Sequence, residues 1–285
     1  MNQSQIGDPA HDAPSPDMRI GDIAAFVATH WRRQPCVLST GHDFRDLISE
    51  DEIWSDLEHG LLTPPYFSVV VDGVARDPST LVRSRSVAGR TAHGYAEPGL
   101  VRAAIEAGAT YILNHLEHWK PSVAALASDV ARAVDCRTEA FAFYSPPGQR
   151  GLRAHTDGSH VLVVQVSGTK DWLVGYIDDE SVATGGTHGS GNLNPADCLV
   201  ATLKPGDVMY IPHGAPHQAV ARRSPSLHIA ITLEEPTPLD FVRDIVDAFV
   251  AGPAGAEIEA TWLARSEHDR LDLLRQAFAH YVREL

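Results

Sequence analysis

The chain has 285 residues, 44% hydrophobic and 21% charged, enough to bury one large core or two modest ones. Its formal charge of -14 excludes broad electrostatic binding to nucleic acid or an anionic membrane, and is compatible with a basic protein or peptide substrate. Cys36, Cys136 and Cys198 are widely separated and form no CxxC, which fits a reducing cytoplasm and excludes a disulfide frame or zinc finger.

Residues 1–18 open polar and Pro/Asp-containing, without the apolar core of a signal peptide, and read as a disordered leader. No apolar run approaches the roughly 18 residues that span a bilayer. Gly21 to Arg33 places Ile23, Phe26, Val27 and Trp31 at helical spacing, with Pro35 closing the segment. Asp43 to His59 reads as a helix, with Ser49-x-x-Glu52 as a capping box. Tyr66 to Asp72 is a β-branched strand ending in an Asp-Gly turn. A short helix from Pro98 to Ala107 and a strand from Thr110 to Asn114 come next, then a helix from Pro121 to about Val134.

From Thr138 the texture changes. Strands are predicted over 138–144, 155–157, 161–166, 171–177, 198–203, 208–211, 218–221 and 227–233. So many short strands in succession imply a mainly β jelly roll or barrel. Asp178 to Asp197, rich in Gly, Ser, Thr and Asn, reads as a flexible loop at its mouth; Asn194-Pro195 rules out the helix a phosphate-binding glycine motif needs. After Pro236 the periodicity is helical again. Leu239, Val242, Ile245, Val246 and Phe249 form one stripe, and a last helix carries Leu271, Leu274, Phe278 and Tyr281. The predicted organisation is 1–18 leader, 19–235 catalytic domain with N-terminal helices, and 236–285 a C-terminal helical extension able to pair two subunits.

His155-Thr-Asp157 puts an imidazole and a carboxylate on one face of a strand. Gly206, Pro212 and Gly214 then turn the chain so that His217 enters from another strand. Two histidines and one carboxylate occupy one face of a metal and leave the rest open, the arrangement of non-haem Fe(II) oxygenases. His160 and His213 are rival ligands that fit the two-strand geometry less well.

Together, His155-x-Asp157, Lys170 and Gly206-Asp-Val-Met-Tyr-Ile-Pro-His-Gly-Ala-Pro-His217 resemble the JmjC-type cupins, especially the ribosomal-oxygenase group of protein hydroxylases. Phe26 to Pro35, Ser145-Pro-Pro-Gly148-Gln-Arg-Gly151-Leu and Gln165-x-x-Gly168-x-Lys170-x-Trp172 extend the resemblance over roughly residues 20–235. It implies a double-stranded β-helix that uses Fe(II), 2-oxoglutarate and O2 and releases succinate and CO2. It implies metal ligation by His155, Asp157 and His217, and cosubstrate binding by Lys170, with Ser226, His228 and Tyr144 as further contacts. A regular strand would face Phe143 inward in place of Tyr144; a one-residue bulge would restore Tyr144. The implied substrate is a side chain in a protein or peptide, either a ribosomal protein or a peptide natural-product precursor. The ribosomal oxygenases continue into a dimerisation region and a winged helix. About fifty residues come after the barrel here, enough for dimerising helices but not for a full winged helix. N-methyl-lysine demethylation, or a non-catalytic metal-binding cupin acting as sensor or scaffold, are the alternatives.

Overall fold

The computed structural model describes residues 17–18, 20–177, 187–189 and 191–284. The predicted leader up to residue 16 and half of the 178–197 loop (178–186 and 190) lie outside the described residues; within the described half, Thr187–Gly189 is a strand rather than loop, paired with His155–Asp157. Asp17–Met18, the end of that predicted leader, pairs with Gly21–Asp22 in a two-stranded ladder.

The chain divides into two compact units, Met1–Glu234 and Glu235–Leu285. In the first, eight strands form one antiparallel sheet in the order Cys36–Ser39, Asp207–Ile211, His160–Ser167, Ser226–Glu234, Arg137–Ser145, Thr110–Leu113, Phe67–Val71 and Val74–Ala75. Five more form a second sheet in the order Thr187–Gly189, His155–Asp157, His217–Ala221, Lys170–Gly175 and Cys198–Leu203. From Arg137 onward the chain alternates between the two sheets, except that three successive strands (170–175, 187–189 and 198–203) stay within the smaller. This is the double-stranded β-helix of a cupin.

Alternation on the strand His160–Ser167 explains the layering. Leu162, Val164 and Val166 point outward into the larger core, which includes Phe26, Ile53, Leu57, Val123 and Val130 from the helices. Val161 and Val163 point inward, where they meet Trp172, Val174, Met209 and Ile211 between the sheets. One strand buried on both faces therefore reads as a continuous apolar run.

The helices Ile23–Thr29, Glu50–His59, Pro98–Glu106 and Pro121–Val134 agree with the sequence in kind. The capping box is complete: the Ser49 hydroxyl accepts from Glu52 N–H at 3.2 Å, and the Glu52 carboxylate accepts from Ser49 N–H at 2.9 Å. The predicted helix from Asp43 needs correction. Only Phe44–Asp46 turns there, as a 3-10 segment, because Ser49 must be extended (φ -113°, ψ 166°) to cap the helix Glu50–His59. The strand Cys36–Ser39 and the hairpin Val82–Val87/Arg90–Ala96 were not predicted; the hairpin is mostly exposed, so no apolar alternation marks it.

The second unit holds three helices, Pro238–Ala251, Pro253–Trp262 and Glu267–Glu284, of which the middle one was not predicted. Phe249 packs against Phe278 and Tyr281 at ring separations of 5.1 and 5.4 Å. Most of the remaining predicted stripe stays open: Leu239 is 63% exposed and Val242 55%, while Ile245 is half-buried. No described helix is long and apolar enough to cross a membrane.

Candidate active site

His155 and His217 are register partners on neighbouring strands, so their imidazoles lie side by side with ring centres 4.2 Å apart. Asp157 sits two residues from His155 on the same face. Its Oδ1 is 3.7 Å from His155 Nε2 and its Oδ2 3.6 Å from His217 Nε2. Each Nδ1–H donates to a backbone carbonyl, that of Arg153 at 2.8 Å and that of Ala215 at 2.9 Å. A carbonyl only accepts, so both rings carry their proton on Nδ1 and turn the Nε2 lone pair toward Asp157. A metal-ligating histidine requires that tautomer, with its other ring nitrogen anchored in this way. Adjacent ligands of an octahedral ion sit about 3.0 Å apart; the carboxylate-to-imidazole separations of 3.7 and 3.6 Å are slightly wider than that, and all three donors lie within 4.8 Å of one another. The donor set fits a divalent ion. Burial, followed by the nearby His155 ring, pushes the His217 imidazole down to about 4, against a weaker upward pull from Asp157. His217 is therefore neutral and free to ligate.

The triad opens into a cavity of about 330 Å³ between the two sheets. Its inner wall comes from Val161, Val163, Trp172, Phe143, His228 and Lys170. Lys170 is 2% exposed, and its ammonium meets one described neutral partner, the Ser145 hydroxyl at 3.1 Å, which also bonds Thr110. Desolvation pushes its pKa down from 10.5 to about 7. Burial, then the charge of Lys170, holds His228 well below the usual histidine range, so that ring is neutral. Trp172 forms the floor, 6.3 Å from the His217 ring, 5.5 Å from His228 and 5.9 Å from the Lys170 amine. Trp172 Nε1 and His228 Nδ1 are buried with no hydrogen-bond partner. Buried polar groups are nearly always paired. A cation and two unsatisfied groups in one cavity mark a place for a polar, anionic ligand.

Gly168 positions Lys170. It sits at φ +64°, and a Cβ there would lie 1.9 Å from the Pro225 carbonyl, so only glycine makes this turn between the sheets.

Two sequence-predicted residues are corrected. The strand Arg137–Ser145 runs opposite Ser226–Glu234 without a bulge, pairing Phe143 with His228 and Tyr144 with Leu227. Phe143 thus faces the cavity, stacked on His228 at 4.9 Å, while Tyr144 points outward against Trp54. Ser226 shares the His228 face but is fully buried beyond the cavity, where its hydroxyl accepts from Gln165 Nε2 at 2.9 Å. Neither rival histidine joins the triad. His160 stacks near Trp31 and holds the Tyr210 hydroxyl and His213 N–H through Nδ1. Residues missed were Ser145, as the partner of Lys170, and the outer wall of Glu139, Phe141, Thr232 and Glu234. Continuing the period of two outward from Phe143 and His228 would have found that wall.

A JmjC domain model matches residues 115–241. The chain is 24% identical over 229 residues to the ribosomal protein uL16 3-hydroxylase of Escherichia coli (strain K12), covering 78% of this chain and 55% of that protein. It is 26% identical over 220 residues to the bifunctional lysine-specific demethylase and histidyl-hydroxylase NO66 of Drosophila persimilis, covering 74% of this chain and 30% of the relative. The solved structure of E. coli ycfD superposes with a TM-score of 0.59 at 20% identity, over 91% of this chain and 67% of that one. The ycfD ribosomal oxygenase in complex with cobalt and 2-oxoglutarate gives 0.56 at 19% identity, over 91% and 66%. The chain thus spans 30% to 55% of these two curated relatives.

Proposed function

Starting from a chain that carries a JmjC domain, we propose an Fe(II)- and 2-oxoglutarate-dependent oxygenase that hydroxylates an amino-acid side chain in a protein or peptide. The observation that carries this is the pairing, in one cavity, of the His155, Asp157 and His217 donors with the buried, charge-starved Lys170. Bound Fe(II) supplies open coordination positions and the redox chemistry that couples decarboxylation of 2-oxoglutarate, giving succinate and CO2, to insertion of one oxygen atom into substrate. The protein does the rest. The Arg153 and Ala215 carbonyls hold the two imidazoles in the ligating tautomer. Lys170, steadied by Ser145, neutralises the far carboxylate of the cosubstrate, and Trp172 and His228 offer their unpaired polar atoms to it. Val161, Val163 and Phe143 keep water from the reacting centre. The half-buried Glu139, Thr232 and Glu234 meet the substrate at the outer end.

A ribosomal protein is the favoured substrate class, since a relative is named for hydroxylating one; the site of action is then the cytoplasm. The exposed Leu239, Phe241 and Val242 of the C-terminal unit support a homodimer through those helices, with that unit acting separately from a catalytic unit that ends near Glu234. Similarity to NO66 favours N-methyl-lysine demethylation as the second reading. The test is anaerobic titration of the Fe(II) protein with 2-oxoglutarate, then admission of O2 and succinate measurement. A visible charge-transfer band and succinate are expected; tight metal binding with no response to 2-oxoglutarate would move the non-catalytic cupin to the front. Mass spectrometry of ribosomal-protein peptides then separates a gained oxygen from a lost methyl group.

A further inference from the structure

Outside the cavity, a second cluster of donors sits on the turn after the strand Thr110–Leu113, in His115-Leu-Glu117-His118. Leu116 is fully buried and pins the turn to the core, while His115 takes the left-handed conformation at φ 52°. These choices converge the side chains. The Glu117 carboxylate is anchored through Oε2, which accepts from Ala140 N–H at 2.7 Å, and this leaves Oε1 for another task. Two imidazole nitrogens close on that oxygen: His115 Nδ1 at 3.3 Å and His118 Nε2 at 3.5 Å. The two ring planes lie within 11° of parallel, with ring centres 5.1 Å apart.

As hydrogen bonds to a carboxylate these separations are long, since charge-assisted bonds run about 2.7–2.9 Å. As two edges of a coordination polyhedron they fit, and the third pair of donors lies within 4.8 Å. Four ligands at about 2.1 Å around a tetrahedral ion stand roughly 3.4 Å from one another. The outer groups agree. The Tyr66 hydroxyl lies 3.3 Å from His118 Nδ1, where it can accept the ring proton and leave Nε2 as the ligating nitrogen. Glu117 is 15% exposed, His115 28% and His118 53%, so an ion has a path from solvent to a partly buried carboxylate.

We infer that His115 Nδ1, Glu117 Oε1 and His118 Nε2 form a second divalent-cation site, for a borderline ion of the Zn2+ class, with water completing a tetrahedron. Two imidazoles and one carboxylate suit such ions better than Mg2+ or Ca2+, which prefer all-oxygen shells. Among the described residues this cluster and the His155 triad are the two groups whose donors lie within 4.8 Å of one another. They share no residue.

Metal counting tests the site without relying on turnover. Stripped full-length protein is dialysed against micromolar Zn2+ and its metal content measured. Two zinc ions per chain are expected in the unaltered protein, one after His155→Ala/His217→Ala, and none when Glu117→Gln is added to that pair. His118→Ala, at an exposed position that tolerates truncation, is expected to hold one. Zn2+ should also raise the melting temperature of the His155→Ala/His217→Ala protein, and should cease to do so with Glu117→Gln. A His155→Ala/His217→Ala protein that binds no zinc, or one whose zinc survives Glu117→Gln, overturns the proposal.

Discussion

Replacing Lys170 by methionine should make the protein more stable and less able to bind its cosubstrate at the same time. Lys170 is buried, meets one neutral hydroxyl and has a pKa pushed from 10.5 to about 7. One pKa unit is about 1.4 kcal/mol, so holding the charged amine in the cosubstrate-free fold costs roughly 4–5 kcal/mol. The sign comes from proton counting. Between about 7 and 10.5 the unfolded chain binds the proton that the folded chain has released, so stability rises with pH through that window. Below about 7 the full cost applies, and above 10.5 none remains. Lys170→Met keeps the volume and removes the charge. At pH 6 it should stabilise the cosubstrate-free protein by about 1–4 kcal/mol, the range seen when buried ions are replaced by apolar groups. The same change should weaken 2-oxoglutarate binding by about two to four orders of magnitude, since removing one partner of a buried charge pair costs about 3–5 kcal/mol. Urea denaturation at pH 6 and pH 9, with calorimetric titration of 2-oxoglutarate into the anaerobic metal-loaded protein, reads both. A variant that is less stable at pH 6 and still binds 2-oxoglutarate within threefold of the unaltered protein would refute the reasoning.

In the unaltered protein, capture of the dianion takes up a proton above about pH 7, so its Kd should rise with pH, at most about tenfold per unit, in titrations at pH 6 to 9. Asp157→Ala should lower succinate formation by more than about 100-fold, beyond what loss of a supporting hydrogen bond alone produces. Gly168→Ala sets a Cβ against the Pro225 carbonyl at positive φ and should cost more than about 1 kcal/mol, read as a lower urea midpoint. Tyr144→Phe should leave the 2-oxoglutarate Kd within about twofold, because that hydroxyl lies outside the cavity wall and makes none of the charge-assisted bonds.

The parts of the fold and site legible in the sequence were those written in local periodicity. Buried strands such as His160–Ser167 announced themselves as apolar runs, and the Ser49/Glu52 box marked its helix start to the residue. His155 and Asp157 share a face by strand geometry alone. Facing across strands is not local, and there the sequence fell short. Nothing in Phe143-Tyr144 says which ring looks inward; the unbulged register with His228 and Leu227 decides it. Ser226 lies on the correct face but too far along it, because Gln165 draws its hydroxyl into the end of the barrel. The exposed hairpin Val82–Val87/Arg90–Ala96 carries no core pattern and so left no trace.

Register also explains why a metal triad and a lone lysine can serve one small ligand. His217 pairs with both His155 and Val174, and Lys170 lies four residues before Val174 on the same strand. Residues 170, 172 and 174 share a face, so the lysine, the indole floor and the level of the triad lie along one line. At about 3.3 Å per residue that line is about 13 Å long. The lysine side chain spans part of it, Trp172 fills the floor beneath, and a short dicarboxylate fits the remainder with one end at the triad and the other at the amine. A longer strand segment between Gly168 and the His217 pairing would leave the cation out of reach, and a shorter one would leave no room for the ligand. The constraint falls on Gly168, whose turn cannot shift without meeting Pro225, and on the pairing of His217 with Val174. Ligand length is therefore set by backbone pairing rather than by any single side chain, so an insertion between Gly168 and Val174 should damage cosubstrate selection more than replacement of any wall residue other than Lys170.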